Sequence, residues 1–67
     1  MAKRISAEEK GYRLGVATCV GFLVHGHGYT GVALEMMQVH DLTLAKARTA
    51  DATEYDISAI RRALRYG

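Results

Sequence analysis

The sequence predicts an all-α protein, a compact bundle of three to four short helices in a single domain over residues 1–67. The chain has no proline and only 7% aromatic residues, a composition that suits helices better than sheets. Its apolar residues recur at helical spacing, and Ser, Thr or Asp precedes each apolar segment as a helix cap would. With 49% hydrophobic residues, the chain can form a core.

The first helix is expected from about Ala7 to about His25. Ser6 and Glu9 form a capping-box pattern, in which each side chain bonds the other residue's backbone amide. Two neighbouring faces of this helix are apolar, so we expect it to be covered on more than one side. One face carries Tyr12, Val16, Cys19, Val20 and Leu23, and the other carries Leu14, Ala17, Gly21 and Val24.

Glycines within this first helix predict a close helix–helix approach. Gly11, Gly15 and Gly21 each cost about 1 kcal/mol of helix propensity relative to alanine. Glycines three or four residues apart leave a strip without side chains, where a second helix can pack, within the chain or between chains. The alternative is that they are merely tolerated. We expect the oligomer interface to comprise Gly11, Gly15, Val16, Cys19, Phe22 and Leu23.

A second helix is expected to follow the glycine-rich turn, from a cap at Thr30 to about His40 or Asp41. Its predicted inner face contains Val32, Ala33, Met36 and Val39. The segment 42–50 fits either a short third helix capped by Thr43 or a continuation of the second.

The last helix is expected to run to about Arg65 from a second capping box, Asp51 to Glu54. Its predicted core stripe is Ile57, Ile60 and Leu64. Arginines are concentrated in its last turns, where positive charge complements the helix dipole.

The segment from Thr43 to Leu64 resembles the helix-turn-helix of bacterial repressors. Matching positions are occupied by Ala47, Ala52, Thr53, Ile57 and Ile60. The resemblance implies DNA binding through Thr53, Tyr55, Ser58, Arg61 and Arg62. Asp51 stands where that motif has a turn glycine, and Lys46 where it has an apolar residue. Glu54 and Asp56 occupy positions that would face the duplex, and their charge repels phosphates.

Length bounds the stability of the fold. A chain of 67 residues supplies a core worth only a few kcal/mol. Its single cysteine, Cys19, excludes an intrachain disulfide and indicates a reducing, cytoplasmic setting. The uncharged stretch from Leu14 to Val24 is too short to span a bilayer. A bound metal or self-association could add stability, and we expect self-association, with a dimer as its form.

Neither a metal site nor an active site is predicted. His25, His27 and His40 lack the spacing of a zinc motif, and we interpret them as polar turn residues. No phosphate-binding loop or nucleophile elbow occurs, so we expect no enzyme, cofactor or catalytic residue.

The leading hypothesis is a small interaction module that binds or inhibits a macromolecular partner, of the kind found among phage and mobile-element accessory proteins. Its expected partner-binding residues are Arg61, Arg62, Arg65 and Met37. The first alternative is a helix-turn-helix transcriptional regulator. The second is an oligomer that sequesters a phosphorylated small ligand with its C-terminal arginines.

Overall fold

Residues 5–66, which the computed structural model describes, form four α-helices and no strand. Helix α1 spans Ala7–Gly21 and continues into a π-helical turn at Phe22–Gly26; α2 spans Thr30–Val39, α3 spans Leu44–Thr49 and α4 spans Glu54–Tyr66. The radius of gyration is 11.2 Å, close to the ~11 Å expected for a compact chain of this length. The predicted all-helical class is confirmed.

Helix α1 begins where the sequence predicts, but only half of the predicted capping box forms. The Ser6 hydroxyl accepts the Glu9 amide at 3.0 Å. The Glu9 carboxylate accepts instead from Arg13 Nε at 2.8 Å, because these residues are one turn apart on the helix surface. The reciprocal bond from Glu9 to the Ser6 backbone was therefore a wrong expectation.

The buried stripe of α1 lies between the two apolar faces that the sequence predicts. Its most buried side chains are Val16, Ala17, Val20 and Val24, each less than 10% exposed. Tyr12 and Cys19, which the sequence placed in the apolar face, are exposed instead. The helix is thus covered along one side by the rest of the chain, and its other side meets solvent.

Helix α2 ends at Val39 with His40 as its C-cap, next to the predicted end at His40 or Asp41. It begins one residue earlier than predicted, so that Thr30 is its first residue and Tyr29 its cap. Ala33 and Met37 are its buried residues. Val32 and Val39, expected to face inward, are 55% and 74% exposed. The face of α2 that packs on α1 and α4 is therefore rotated by about one residue from the predicted face.

The ambiguous segment is a short helix of its own. The Thr43 hydroxyl accepts the Lys46 amide at 3.1 Å and caps α3. Thr53, rather than Asp51, caps α4, and its hydroxyl accepts the Asp56 amide at 3.3 Å.

Helix α4 lies at the centre of the bundle and contacts all three other helices. Ile57 and Ile60 are 3% and 0% exposed, whereas Leu64 is 46% exposed and lies at the edge of the core. Ala59 and Ala63 are fully buried, so small residues let α1 and α2 approach this helix closely. Ile57 and Ile60 are therefore core residues as predicted, whereas the prediction that Leu64 is a core residue was wrong.

Candidate interaction surfaces

The exposed side of α4 carries a basic face, formed by Arg61, Arg62 and Arg65. The three side chains fall on one side of the helix because they are spaced one, three and four residues apart. All three arginines are exposed. Burial of Ala59, Ile60 and Ala63 on the opposite side fixes the orientation of the helix, so the basic face points away from the core.

Three of the four described cations outside the basic face are paired with carboxylates, and Arg48 is the exception. Lys10 Nζ lies 3.0 Å from Asp51 Oδ2, and Arg13 Nε lies 2.8 Å from Glu9 Oε2. Lys46 Nζ lies 2.6 Å from Asp41 Oδ2.

The arginines of the basic face differ from these paired cations. Among residues 5–66, no ion pair joins Arg61, Arg62 or Arg65 to a carboxylate. Within this range, the cations without an ion pair are therefore these three arginines of α4 and the exposed Arg48 of α3.

Two exposed tyrosines lie beside the basic face. Tyr55 is 58% exposed and Tyr66 is 68% exposed. With Arg62 they follow one edge of α4 at intervals of seven and four residues. The Tyr66 ring packs over Gly31, where an added Cβ would lie 3.0 Å from the ring. Tyrosine and arginine are enriched among the residues that dominate binding energy at protein interfaces.

The end of α1 and the π-helical turn after it pack against the N-terminal half of α4. A Cβ at Gly21 would collide with the Asp56 carboxylate, so a larger residue there would force the Asp56 side chain to shift. His25 Nε2 donates to the Tyr55 carbonyl at 3.1 Å and to Ser58 Oγ at 2.9 Å. Ala59 is fully buried. The half of α4 that would enter a DNA groove is therefore partly covered by the protein itself.

With the Nε2 proton of His25 directed at the Tyr55 carbonyl, the contact between His25 and Ser58 has the wrong polarity for a catalytic pair. The Tyr55 carbonyl can only accept, so the His25 Nε2 that bonds it must carry a proton. The Ser58 hydroxyl already donates to the same carbonyl at 2.9 Å. In this arrangement Nε2 cannot take the serine proton, which a nucleophile–base pair requires.

Three features of the turn between α3 and α4 agree with the helix-turn-helix resemblance. Asp51 adopts a left-handed conformation, with φ of 65°, at the position of the motif's glycine. Ala47 is fully buried between the helices, and Thr53 caps the following helix. Asp51 tolerates this conformation better than most residues. All five predicted DNA-binding residues are exposed, and two of them, Tyr55 and Ser58, also contact His25.

The exposed side of α1 and the neighbouring side of α2 enclose an open apolar groove of about 360 Å³. Its lining residues are Gly11, Tyr12, Gly15, Val16, Cys19, Met36 and His40. A Cβ at Gly11 or Gly15 would meet nothing within 4 Å. These two glycines therefore do not serve close packing within the chain, and that role belongs to Gly21.

The residues predicted for an oligomer interface differ in their exposure and position. Gly11, Gly15, Val16 and Cys19 line the groove, although Val16 is mainly a core residue at 8% exposed. Phe22 is 61% exposed, one turn beyond Cys19. Leu23 packs partly against the core, so it contributes little to that surface.

Met37, predicted to bind a partner, lies in the core instead of on the surface. Its side chain is 2% exposed and belongs to the core between α2 and the other helices. Its neighbour Met36 lines the groove instead. Adjacent residues on a helix point about 100° apart, and local sequence does not indicate which of two successive methionines faces the core.

The three histidines lie in separate contacts. His25 packs on Tyr55, His27 lies between the rings of Phe22 and Tyr29, and His40 Nδ1 hydrogen-bonds the Tyr12 hydroxyl at 2.5 Å. Within residues 5–66, no group of three His, Cys, Asp or Glu side chains is placed to share a metal ion.

Sequence reasoning missed the bond between Tyr12 and His40. It joins α1 to α2 across the groove, and the two residues are 28 positions apart, so no local pattern indicates it.

The described part of the chain has no helix that is both long and apolar enough to cross a membrane. No protein-family model, curated protein or solved structure matches this chain. The function is therefore argued from the surfaces described above.

Proposed function

We propose that this protein is a small interaction module that binds an acidic surface of another protein through the basic face of α4. The observation that carries this proposal is the contrast among the described cations. Among residues 5–66, Lys10, Arg13 and Lys46 are paired with carboxylates, whereas Arg48 and the three arginines of α4 are not, and only the α4 arginines form a cluster on one helix. Arginine pairs bidentately with carboxylates, so an exposed set on one rigid helix suits an acidic partner.

The tyrosines beside the basic face support the same proposal. Tyr55 and Tyr66 offer large, rigid contact areas next to Arg62. Solubility alone requires charged side chains and gives no role to exposed aromatic rings beside them. Aromatic rings together with arginine are typical of the centre of a protein interface.

We also propose that the chain self-associates through its groove and the exposed side of α1. The supporting observation is the unfilled space above Gly11 and Gly15 in an apolar groove, beside the exposed ring of Phe22. Helical glycines reduce the stability of an isolated chain, so an incoming helix gives them a physical role.

Affinity capture with the full chain, from a lysate of its source organism, tests the main proposal. Wild type is compared with Arg61→Ala/Arg62→Ala and with the control Arg13→Ala, which removes a cation already paired with Glu9. We expect a protein that is retained by wild type and the control after nuclease treatment, and lost with the double variant. Retention by all three chains would contradict the role of the basic face.

DNA binding is the second candidate, and the helix-turn-helix geometry of Ala47, Asp51 and Thr53 favours it. Because α1 covers part of the N-terminal half of α4, this function would rest on phosphate contacts from Arg61, Arg62 and Arg65. Binding of a labelled duplex should then weaken steeply with salt, and Arg61→Ala should reduce the salt slope by about one. No binding at low salt would eliminate this candidate.

Sequestration of a phosphorylated small ligand is tested by the same arginines. Nucleotides or inorganic phosphate should raise the melting temperature of wild type and not of Arg61→Ala/Arg62→Ala if such a ligand binds there.

A further inference from the structure

The exposed side of α1 carries both a depression and a protruding ring. The depression is the groove floor at Gly11 and Gly15, where the helix has no side chains and no neighbour within 4 Å of an added Cβ. The groove holds about 360 Å³. A cavity of about 150 Å³ is enough to bind benzene, so this groove has room for a phenyl ring.

The protruding ring is that of Phe22, which is 61% exposed. It lies seven residues after Gly15, and seven residues are nearly two full turns, so both face the same way. The separation along the axis is about 10 Å. The ring is held from one side by His27, with centroids 4.6 Å apart and the planes at 72°. It is therefore presented to solvent in an ordered orientation.

We propose that two copies of this chain pair through α1 in antiparallel orientation, with Phe22 of each copy seated over Gly15 of the other. This inference rests on the self-association proposed above and names its geometry. A two-fold interface requires that if residue i contacts residue j, residue j contacts residue i. A ring and a depression on one helix face meet that requirement, and their midpoint places the two-fold axis beside Thr18 and Cys19.

The charges on α1 permit this pairing. Between Gly11 and Val24 the only charged residue is Arg13. Its side chain is 15% exposed and is paired with Glu9. Two copies of this face can therefore approach without bringing like charges together or burying an unpaired one.

An apolar margin continues the surface onto α2. Val32, Met36 and Val39 share one side of that helix at intervals of four and three residues. Val32 and Val39 are 55% and 74% exposed, and Met36 lines the groove. The proposed interface would thus cover three apolar side chains that the isolated chain leaves partly or largely in water.

The test measures the dimerisation constant of the full chain by sedimentation equilibrium, with circular dichroism to check that each variant folds. We expect species approaching twice the 7.3 kDa chain mass. Phe22→Ala should weaken association at least tenfold, and so should Gly15→Leu, which places a side chain in the depression. The control Leu64→Ala, which trims a partly exposed apolar side chain on α4, should leave association unchanged.

A swapped variant distinguishes antiparallel from parallel pairing. In Gly15→Phe/Phe22→Ala the ring moves to the position of the depression, so antiparallel copies regain a ring opposite a small residue. We expect this variant to recover most of the association that Phe22→Ala loses. In a parallel pair, residue 15 faces residue 15, and no recovery would follow, which would overturn the proposed geometry.

Two other results would also overturn the inference, and they differ in what else they contradict. A wild-type chain that stays monomeric at all concentrations contradicts the self-association proposal as a whole. A wild-type dimer that Phe22→Ala and Gly15→Leu leave intact contradicts only the pairing of Phe22 with Gly15. Binding of an acidic partner by the basic face of α4 is independent of both results.

Discussion

Single residues with unusual backbone or packing requirements determine how the helices of this protein meet. Asp41 and Asp51 adopt left-handed conformations, with φ of 52° and 65°, and each ends a helix. In both cases the carboxylate also pairs with a lysine, Lys46 or Lys10. The sequence indicated a turn at Asp51 because aspartate tolerates this conformation. The close contact at Gly21 is made with the side chain of Asp56, 35 positions later, so local sequence patterns cannot show that contact.

Alanine at two glycines of α1 should have opposite effects on stability. Gly15→Ala meets nothing within 4 Å and should raise the free energy of unfolding by about 1 kcal/mol through helix propensity. Gly21→Ala places a Cβ against the buried Asp56 and should lower it by about 1 kcal/mol despite the same gain. Urea unfolding of dilute protein measures both. Equal effects at the two positions would contradict the assigned helix–helix contact.

The ion pair at Asp41 should make stability depend on pH in the acidic range. Its hydrogen bond and charge interaction with Lys46 hold the pKa of Asp41 below its ordinary value. A carboxyl whose folded pKa is lowered stabilises the fold above the unfolded pKa, and this contribution is lost as the pH falls through the folded pKa. Asp41→Asn should therefore be less stable than wild type at pH 7 and equally stable near pH 2. Thermal melts across this range test it, and a constant difference would contradict it.

The helices themselves could be predicted well from sequence, and their orientations less well. Capping by Ser6 and Thr43 fixed the starts of α1 and α3, because a cap is a local interaction. The buried side of α1 was misplaced because that helix is apolar nearly all round, so periodicity does not select one face. Helix α4 has a clearer division between charged and apolar residues, and its orientation was predicted except for Leu64.

Alanine substitutions in α4 should lower stability more at a core position than at an edge position. Ile60 is fully buried, and Ile60→Ala should cost about 2–5 kcal/mol, which is most of the stability of a chain this small. Leu64 is 46% exposed, and Leu64→Ala should cost well under half as much. Melting temperatures from circular dichroism provide the comparison. Comparable losses at both positions would contradict the assigned orientation of α4.

The small core of this protein leaves much of its apolar surface exposed to solvent. Eight large hydrophobic or aromatic side chains are at least 46% exposed among residues 5–66. Several of them lie next to the two proposed contact surfaces, with Phe22 and Val39 near the groove and Tyr55 and Tyr66 beside the basic face. The sequence located the arginines and the glycines of these surfaces. It could not show which cations are neutralised, because the pair of Lys10 with Asp51 joins residues 41 positions apart.

The most direct test of the proposed function is the affinity of the captured partner for matched arginine variants, measured by calorimetry at fixed salt. The basic face predicts that Arg61→Ala/Arg62→Ala binds at least tenfold more weakly than wild type. It predicts that Arg13→Ala, whose cation is neutralised by Glu9, binds as wild type does. Equal affinity of wild type and the double variant, with all chains folded, would contradict the claim that α4 is the binding surface.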